Sequence, residues 1–315
     1  MLKVIWNYDA APTLRARLNA LANEGLHVEV CPEHDDARLF QLLADADVLW
    51  HCLRPVNAEL LAQAPRLRLV QKIGVGVNTI DLEDARRRGI AVCNMPGSNS
   101  RAVSEHALAL MLAVLRQVPR FDHDVRMGAG WSWDSDRQDG LGEIGGRTVG
   151  LVGFGAVPAL LAPVLHALGA RVLYTARTQH PTANAEWRSF PALLAESDIL
   201  SLHVPLTPLT ERLLDRSAFA QMQPGSILIN TARGGLVDEE ALLAALASGR
   251  LAGAGLDVFA AEPLPIPHQL AQLPNVVLAP HVAWLTGETL MRSLAIAVDN
   301  CHRLEAGKEF AFRVA

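Results

Sequence analysis

The sequence predicts an α/β protein of two doubly wound, parallel-sheet domains with a cleft between them, and three observations carry that expectation. Short β-branched runs alternate with helical stretches along most of the chain. A glycine-rich turn, Gly153-Phe154-Gly155, stands between a strand-like run and a helix rich in Ala and Leu. Finally, 315 residues are long for one hydrophobic core and comfortable for two.

The first βα series begins at the N-terminus, with strands expected at Lys3–Trp6, Val28–Cys31, Val48–Cys52, Leu69–Ile73 and Ile90–Asn94. Helical spacing appears between them at Leu14, Leu18 and Leu21, and again at Leu39, Leu42 and Leu43. After the turn Asn94-Met95-Pro96-Gly97, an apolar helix is expected over Val103–Leu115; Glu105 and His106 open it, where capping or packing accounts for them. Gly128 to Gly146 reads as a loop, polar except for Trp131 and Trp133, whose indoles need cover from a partner subunit or from the same chain. A second series follows at Thr148–Val152, Arg171–Thr175, Ile199–His203, Ile227–Thr231, Ala254–Val258 and Val276–Ala279. The last helix, Glu288 to Leu304, aligns Leu290, Leu294, Ala297, Val298 and Cys301 on one stripe and is expected to pack back on the first domain. The division is thus a discontinuous, flavodoxin-like domain of residues 1–97 plus 286–315 and a Rossmann domain of residues 98–285.

Composition excludes several classes. Twenty-eight Lys and Arg against 33 Asp and Glu give a net charge of −5, and no basic run offers a footprint for nucleic acid. The densest apolar cluster, Ala107 to Leu115, is too short to cross a bilayer, and the N-terminus runs straight into a strand instead of a signal peptide, so the cytoplasm is the expected location. Cys31, Cys52, Cys93 and Cys301 are far apart and without CxxC spacing, which suits small core residues; no metal site is expected.

The glycine-rich turn suits a dinucleotide. Gly153 permits a tight turn, and Gly155 lets the backbone approach a pyrophosphate at the positive helix N-terminus, with Phe154, Ala156 and Val157 completing the contact. Pro158 stands at the third fingerprint position, where Gly or Ala is usual, but proline is tolerated in a first helical turn; Pro163, deeper in, is expected to kink the helix. A lone Gly-x-Gly is also compatible with an ordinary turn. The next strand ends in Ala176-Arg177-Thr178, where an NAD-specific site places an acid to bind the ribose 2′-hydroxyl. A cation and a hydroxyl there point to NADP(H), with NAD(H) as the alternative; equally, Arg177 could be a solvated loop arginine.

Three later segments put polar residues at strand ends: Asn230-Thr231-Ala232-Arg233-Gly234-Gly235, Asp257-Val258-Phe259-Ala260-Ala261-Glu262-Pro263 and Ala279-Pro280-His281-Val282-Ala283. Together with Gly74-Val75-Gly76-Val77-Asn78-Thr79-Ile80-Asp81, Asn94-Met95-Pro96-Gly97 and Leu202-His203-Val204-Pro205-Leu206-Thr207, they resemble the signature segments of the D-isomer-specific 2-hydroxyacid dehydrogenases, in family order. The resemblance implies reversible hydride transfer between a nicotinamide dinucleotide and a small 2-oxo or 2-hydroxy acid, in a homodimer. Reduction needs a cation for the substrate carboxylate and a proton for the carbonyl oxygen. Arg233 suits the first, because guanidinium grips a carboxylate bidentately. His281 suits the second, because imidazole titrates near neutrality. Glu262 is implied beside it, raising its pKa and fixing its orientation.

By the same resemblance, the Val75 and Gly76 N–H groups, after Gly74, help hold the carboxylate. Asp257 faces the nicotinamide carboxamide, Val204 and Pro205 lie beside the adenosine half, and Thr207 lies near the phosphates. Thr231 and Ala232 line the cofactor side, as does His203, although its strand-like setting favours a structural role. Leu53 and Arg54 are expected to help choose the substrate. Trp284 stands where a small residue is common, as in the glyoxylate and hydroxypyruvate reductase branch; it either walls the substrate pocket or packs between domains. Asn78 replaces a common Asp, and Ala156 an Arg, removing one charge from each loop. A dinucleotide-sensing binding protein on the same fold is the main rival, and a methyltransferase using S-adenosylmethionine a second; neither has use for Arg233, Glu262 and His281 together.

Overall fold

The computed structural model describes residues 1–131, 135–179, 181–182 and 184–315, so Trp133 lies outside the described residues. The chain divides into two compact units, Met1–Asn99 with Thr286–Ala315, and Ser100–Leu285.

Unit 1 carries strands β1 (Leu2–Asn7), β2 (Leu26–Cys31), β3 (Val48–His51), β4 (Leu69–Lys72) and β5 (Ala91–Cys93), all parallel in the order β2-β1-β3-β4-β5. This is the flavodoxin-like order, with its switch point between β1 and β3. Helices α1 (Pro12–Ala20), α2 (Asp36–Leu43), α3 (Ala58–Ala62), α4 (Leu82–Arg87) and the C-terminal helix Gly287–Glu305 complete it. Asp35, Asn57 and Asp81 cap α2, α3 and α4 by accepting a backbone N–H three residues on. One layer of core joins Leu39, Leu43, Leu60 and Leu61 to Ile5, Leu49, Val70 and Val92. Trp6 and Trp50 are fully buried and meet edge to face at 6.3 Å. Every residue of β3 and β4 is buried, as expected of strands covered on both faces. The buried polar residues Asn7, His51 and Lys72 are the last of β1, β3 and β4, so polar chemistry collects at the carboxyl edge.

Some expectations for unit 1 are corrected. Of Leu14, Leu18 and Leu21, only Leu18 is buried: Leu14 is half-buried within the first turn of α1, and Leu21 falls beyond the helix, which stops at Ala20, and begins a 3₁₀ turn. Cys52, Ile73 and Ile90 remain buried beyond the ends of their strands, since burial of apolar side chains outlasts the ladder.

Unit 2 carries β6 (Thr148–Val152), β7 (Arg171–Thr175), β8 (Glu186–Trp187), β9 (Ile199–Leu202), β10 (Ser226–Asn230), β11 (Leu251–Leu256) and β12 (Val276–Leu278). Their order is β12-β11-β10-β9-β6-β7-β8, all parallel, so the direction of winding reverses at β6 and β9. On one face, α5 (Ser100–Leu115) and α7 (Ala156–Ala167) pack through Ala107, Leu110, Met111, Leu161 and Leu165. On the other, α8 (Phe190–Glu196), α9 (Arg216–Gln221) and α10 (Glu239–Ala247) contribute Leu193, Phe219 and Leu242.

α5 begins at Ser100, three residues before the expected start, so Glu105 and His106 lie inside it and cap nothing. α6 (Val118–Arg126) was not read from the sequence although Val118, Phe121 and Val125 follow a helical period, and the two-residue β8 is too short to carry one; α6 leaves Val118 and Val125 exposed, and β8 is an exposed edge. The segment read as a loop contains a 3₁₀ turn at Ser135–Gly140, and Trp131 is 92% exposed. α7 runs unbroken through Pro163. His203, Thr231, Val258 and Ala279 fall just after their strands, at the edge where ligands bind in such sheets. All four cysteines are free and buried. Among the described residues, no helix is long and apolar enough to cross a membrane, and no cluster of His, Cys, Asp and Glu could hold a metal.

Candidate active site

The switch point of unit 2 brings the turn after β6 against the segment after β9. Gly153, at φ +99, donates its N–H to the Thr175 carbonyl at 2.9 Å. A Cβ on Gly153 would lie 2.7 Å from the His203 carbonyl oxygen and 2.9 Å from Val204, so only glycine fits between the two loops. Gly155 differs. It is the residue before α7, extended at φ −92, and a Cβ there would meet nothing within 4 Å. Open space therefore faces the unsatisfied N–H groups of the first helical turn, a setting that fits a pyrophosphate. Phe154 stacks on Tyr174 with centroids 4.2 Å apart, Ala156 is exposed and Val157 half-buried.

Around this turn, Ala176 is half-buried and its carbonyl accepts from the Trp187 indole, while Arg177 and Thr178 are exposed. His203 pairs through Nε2 with Ser201 Oγ at 2.9 Å, and burial pushes its imidazole down to about 4, so it is neutral at ordinary pH. Val204 is half-buried; Pro205 and Thr207 are exposed and joined through Thr210 Oγ1, which accepts from the Thr207 N–H and donates to the Pro205 carbonyl.

The loop after β10 is held by Asn230, whose side chain accepts from the Ala232 N–H at 3.0 Å and donates to the Arg233 carbonyl at 2.9 Å. Thr231 is buried, and its Oγ1 has no partner among the described residues. Arg233 is half-buried, and its Nη1 donates to the Ala232 carbonyl at 2.6 Å. Burial lowers its pKa and the Glu262 charge opposes that; a guanidinium remains protonated regardless. A Cβ on Gly234 would overlap the Phe259 carbonyl group at 1.9 Å, so this glycine is what lets the Arg233 loop rest on the 259–262 segment.

Glu262 Oε2 lies 2.7 Å from His281 Nδ1, and its Oε1 accepts the Phe259 N–H at 2.9 Å. Burial works against ionisation of this carboxyl. The hydrogen bond and charge of His281, the Phe259 N–H and the Arg233 charge outweigh it and hold the carboxyl below its usual range. An ionised Glu262 can only accept, so Nδ1 carries a proton and Nε2 is left for exchange.

His281 sits at φ +54, an uncommon left-handed conformation for a side-chain-bearing residue. Its N–H donates to the Asp257 carbonyl at 2.8 Å, and its carbonyl accepts from the Trp284 indole at 3.1 Å. The fully buried Asp257 carboxylate accepts the Val282 and Ala283 N–H groups at 2.8 and 2.9 Å. Both oxygens of Asp257 thus accept from its own chain. His106 Nε2 approaches the same carboxylate at 3.5 Å. Sequence reasoning assigned this histidine nothing beyond capping or packing, although its place among apolar helix residues was a usable signal. Trp284 is 6% exposed and serves as a brace on the His281 carbonyl.

In unit 1, the turn after β4 carries Gly74, exposed Val75 and half-buried Gly76, and no described residue accepts from the Val75 or Gly76 N–H. Asn94 Nδ2 fixes the turn through the Val75 carbonyl at 2.9 Å. After β3, the Leu53 and Arg54 N–H groups both donate to Glu33 Oε1, at 2.6 and 2.8 Å. Arg54 also bonds the Glu33 carbonyl and is ion-paired with Asp36. Glu33 had no motif to mark it in the sequence.

Residues 108–283 match the family model described as D-isomer specific 2-hydroxyacid dehydrogenase, NAD binding domain. The chain is 42% identical over 273 residues to a glyoxylate reductase of Aeropyrum pernix, covering 84% of this chain and 81% of that one. It is 41% identical over 279 residues to a D-3-phosphoglycerate dehydrogenase of Mycobacterium leprae; the match covers 87% of this chain but only 52% of that relative, about half its length. Among solved structures, the TT0316 protein from Thermus thermophilus superposes with a TM-score of 0.90 at 38% identity, covering 100% of both chains.

Proposed function

Because this chain belongs to the D-isomer-specific 2-hydroxyacid dehydrogenases, a family of nicotinamide-dependent oxidoreductases, we propose that it reduces glyoxylate, hydroxypyruvate or a similar short 2-oxo acid to the D-2-hydroxy acid, preferring NADPH. The observation that carries this proposal is the 2.7 Å contact between Glu262 and His281.

Gly153, Gly155 and the first turn of α7 would hold the dinucleotide, which would supply a hydride for the substrate's carbonyl carbon. Arg233 pairs with the carboxylate and polarises the neighbouring carbonyl. His281 Nε2 gives its proton to the oxygen as negative charge develops there, and Glu262 stabilises the ring while it is cationic. In oxidation the same nitrogen takes the proton. Within unit 1, the Val75 and Gly76 N–H groups are two donors with no acceptor among the described residues, of the kind a carboxylate takes. A protein that only sensed the dinucleotide would leave the Glu262 and His281 pair without a task.

The preference for NADPH rests on Ala176, where no acid is present to repel a 2′-phosphate, and on the exposed Arg177 and Thr178 beside it. The test is oxidation of NADPH and NADH with glyoxylate, hydroxypyruvate, pyruvate and bulkier 2-oxo acids, repeated with His281→Ala. The expected loss in kcat is about 10²- to 10⁴-fold. A strong preference for NADH would overturn the cofactor assignment, and an undiminished rate in the variant would overturn the proton transfer.

A further inference from the structure

We infer that Glu33 is a built-in anion at the substrate-tail position of unit 1, selecting 2-oxo acids with uncharged tails against those carrying a distal phosphate or second carboxylate. The inference rests on the proposed reduction of 2-oxo acids and goes on to name their class.

β3 and β4 are hydrogen-bonded neighbours, so the turns that follow them stand side by side at one sheet edge. Both turns present consecutive backbone N–H groups, the kind of concavity that binds anions. After β4, the Val75 and Gly76 donors have no acceptor among the described residues. After β3, the equivalent place is filled by the chain itself, because Leu53 and Arg54 both donate to Glu33 Oε1. The filled turn is therefore the immediate neighbour, within unit 1, of a carboxylate held at Val75 and Gly76.

The cations here are committed as well. Arg54 bonds the Glu33 carbonyl and pairs with Asp36, while buried Lys72 donates Nζ to the Cys52 carbonyl. A distal phosphate arriving here would meet the Glu33 and Asp36 carboxylates, and would have to displace Glu33 to reach the N–H groups. A hydrogen or hydroxymethyl tail meets no such opposition.

The experiment compares kcat/KM for hydroxypyruvate and its 3-phosphate in the wild-type protein and in Glu33→Gln, which keeps the acceptor oxygen and removes the charge. The wild type should favour hydroxypyruvate by at least tenfold, and the variant should narrow that ratio by about tenfold, chiefly through KM for the phosphorylated acid. The wild-type arm stands whether or not the variant folds: equal use of the two acids, or preference for the phosphate, overturns the assignment. Turnover of hydroxypyruvate with the same ratio in a folded variant overturns the role of Glu33 and leaves the proposed reduction standing. No turnover of either acid by the wild type overturns both.

Discussion

Replacing Gly153 with alanine should cost stability, while the same change at Gly155, two residues on, should cost dinucleotide affinity instead. At φ +99, an alanine at position 153 costs about 1–3 kcal/mol in backbone strain. Its Cβ would also stand 2.7 Å from the His203 carbonyl, and easing that overlap by parting two packed loops adds about 1–3 kcal/mol. Taking a total of about 3 kcal/mol, the melting temperature of unit 2 falls by roughly 6–12 °C. At Gly155 the backbone is one any residue adopts, and nothing lies within 4 Å of the new methyl. Lower entropy of the unfolded chain stabilises Gly155→Ala by about 0.4–1 kcal/mol, and the weaker helix cap offsets it. The methyl instead occupies the space before the helix N-terminus, and a tenfold or greater rise in Kd for NADPH is expected, about 1.4 kcal/mol. Calorimetric melting without ligand and fluorescence titration with NADPH separate the two effects. Equal melting losses in the two variants, or an unchanged Kd in Gly155→Ala, would refute the reasoning.

Three further outcomes are expected. Trp284→Phe removes the indole N–H from the His281 carbonyl and should lower kcat about tenfold with little change in KM; a raised KM at unchanged kcat would instead make Trp284 a substrate contact. Asp257→Asn sets an amide N–H₂ against a backbone N–H, so it should destabilise unit 2 by about 2–3 kcal/mol and reduce kcat, and a melting temperature equal to wild type would exclude this bracing role. Burial holds His203 at about 4 against 6.5 when unfolded, so its neutral form is favoured by folding; the contribution is complete above pH 6.5 and lost as pH falls towards 4, on the order of 3 kcal/mol. Buried His51, also pushed well down, acts in the same direction. Denaturant unfolding between pH 7.5 and 4.5 should show a flatter dependence for His203→Gln, and parallel curves would remove His203 from the account.

The positions of the strands were legible from a local signal, β-branched runs bounded by turns, whereas the Glu262 and His281 contact was legible only through the resemblance of their segments to a known family. The 3₁₀ turn at Ser135–Gly140 and β8 were not legible, because such short elements carry no apolar period, and the period of α6 is a single stripe of Val118, Phe121 and Val125 on an otherwise polar helix. Chain-distant pairings were hidden for another reason. Nothing local announces that Glu33 will accept from a turn twenty residues later, or that Asp257 will fold back on Val282 and Ala283. Trp284 shows the middle case: its position drew attention, and its geometry supplied a job the sequence had not named.

The chain enters unit 2 at Ser100 and leaves it at Leu285 without returning. Arg233, Glu262, His281 and the Asp257 brace all fall inside that uninterrupted cassette, whereas Glu33, Leu53, Arg54 and the Val75 turn are encoded outside it. The proposed proton chemistry and the proposed tail recognition are therefore written in separable stretches of one gene. Recombination with two junctions, or an engineer's graft at the same two points, can exchange the recognition half while the acid–base half is inherited whole.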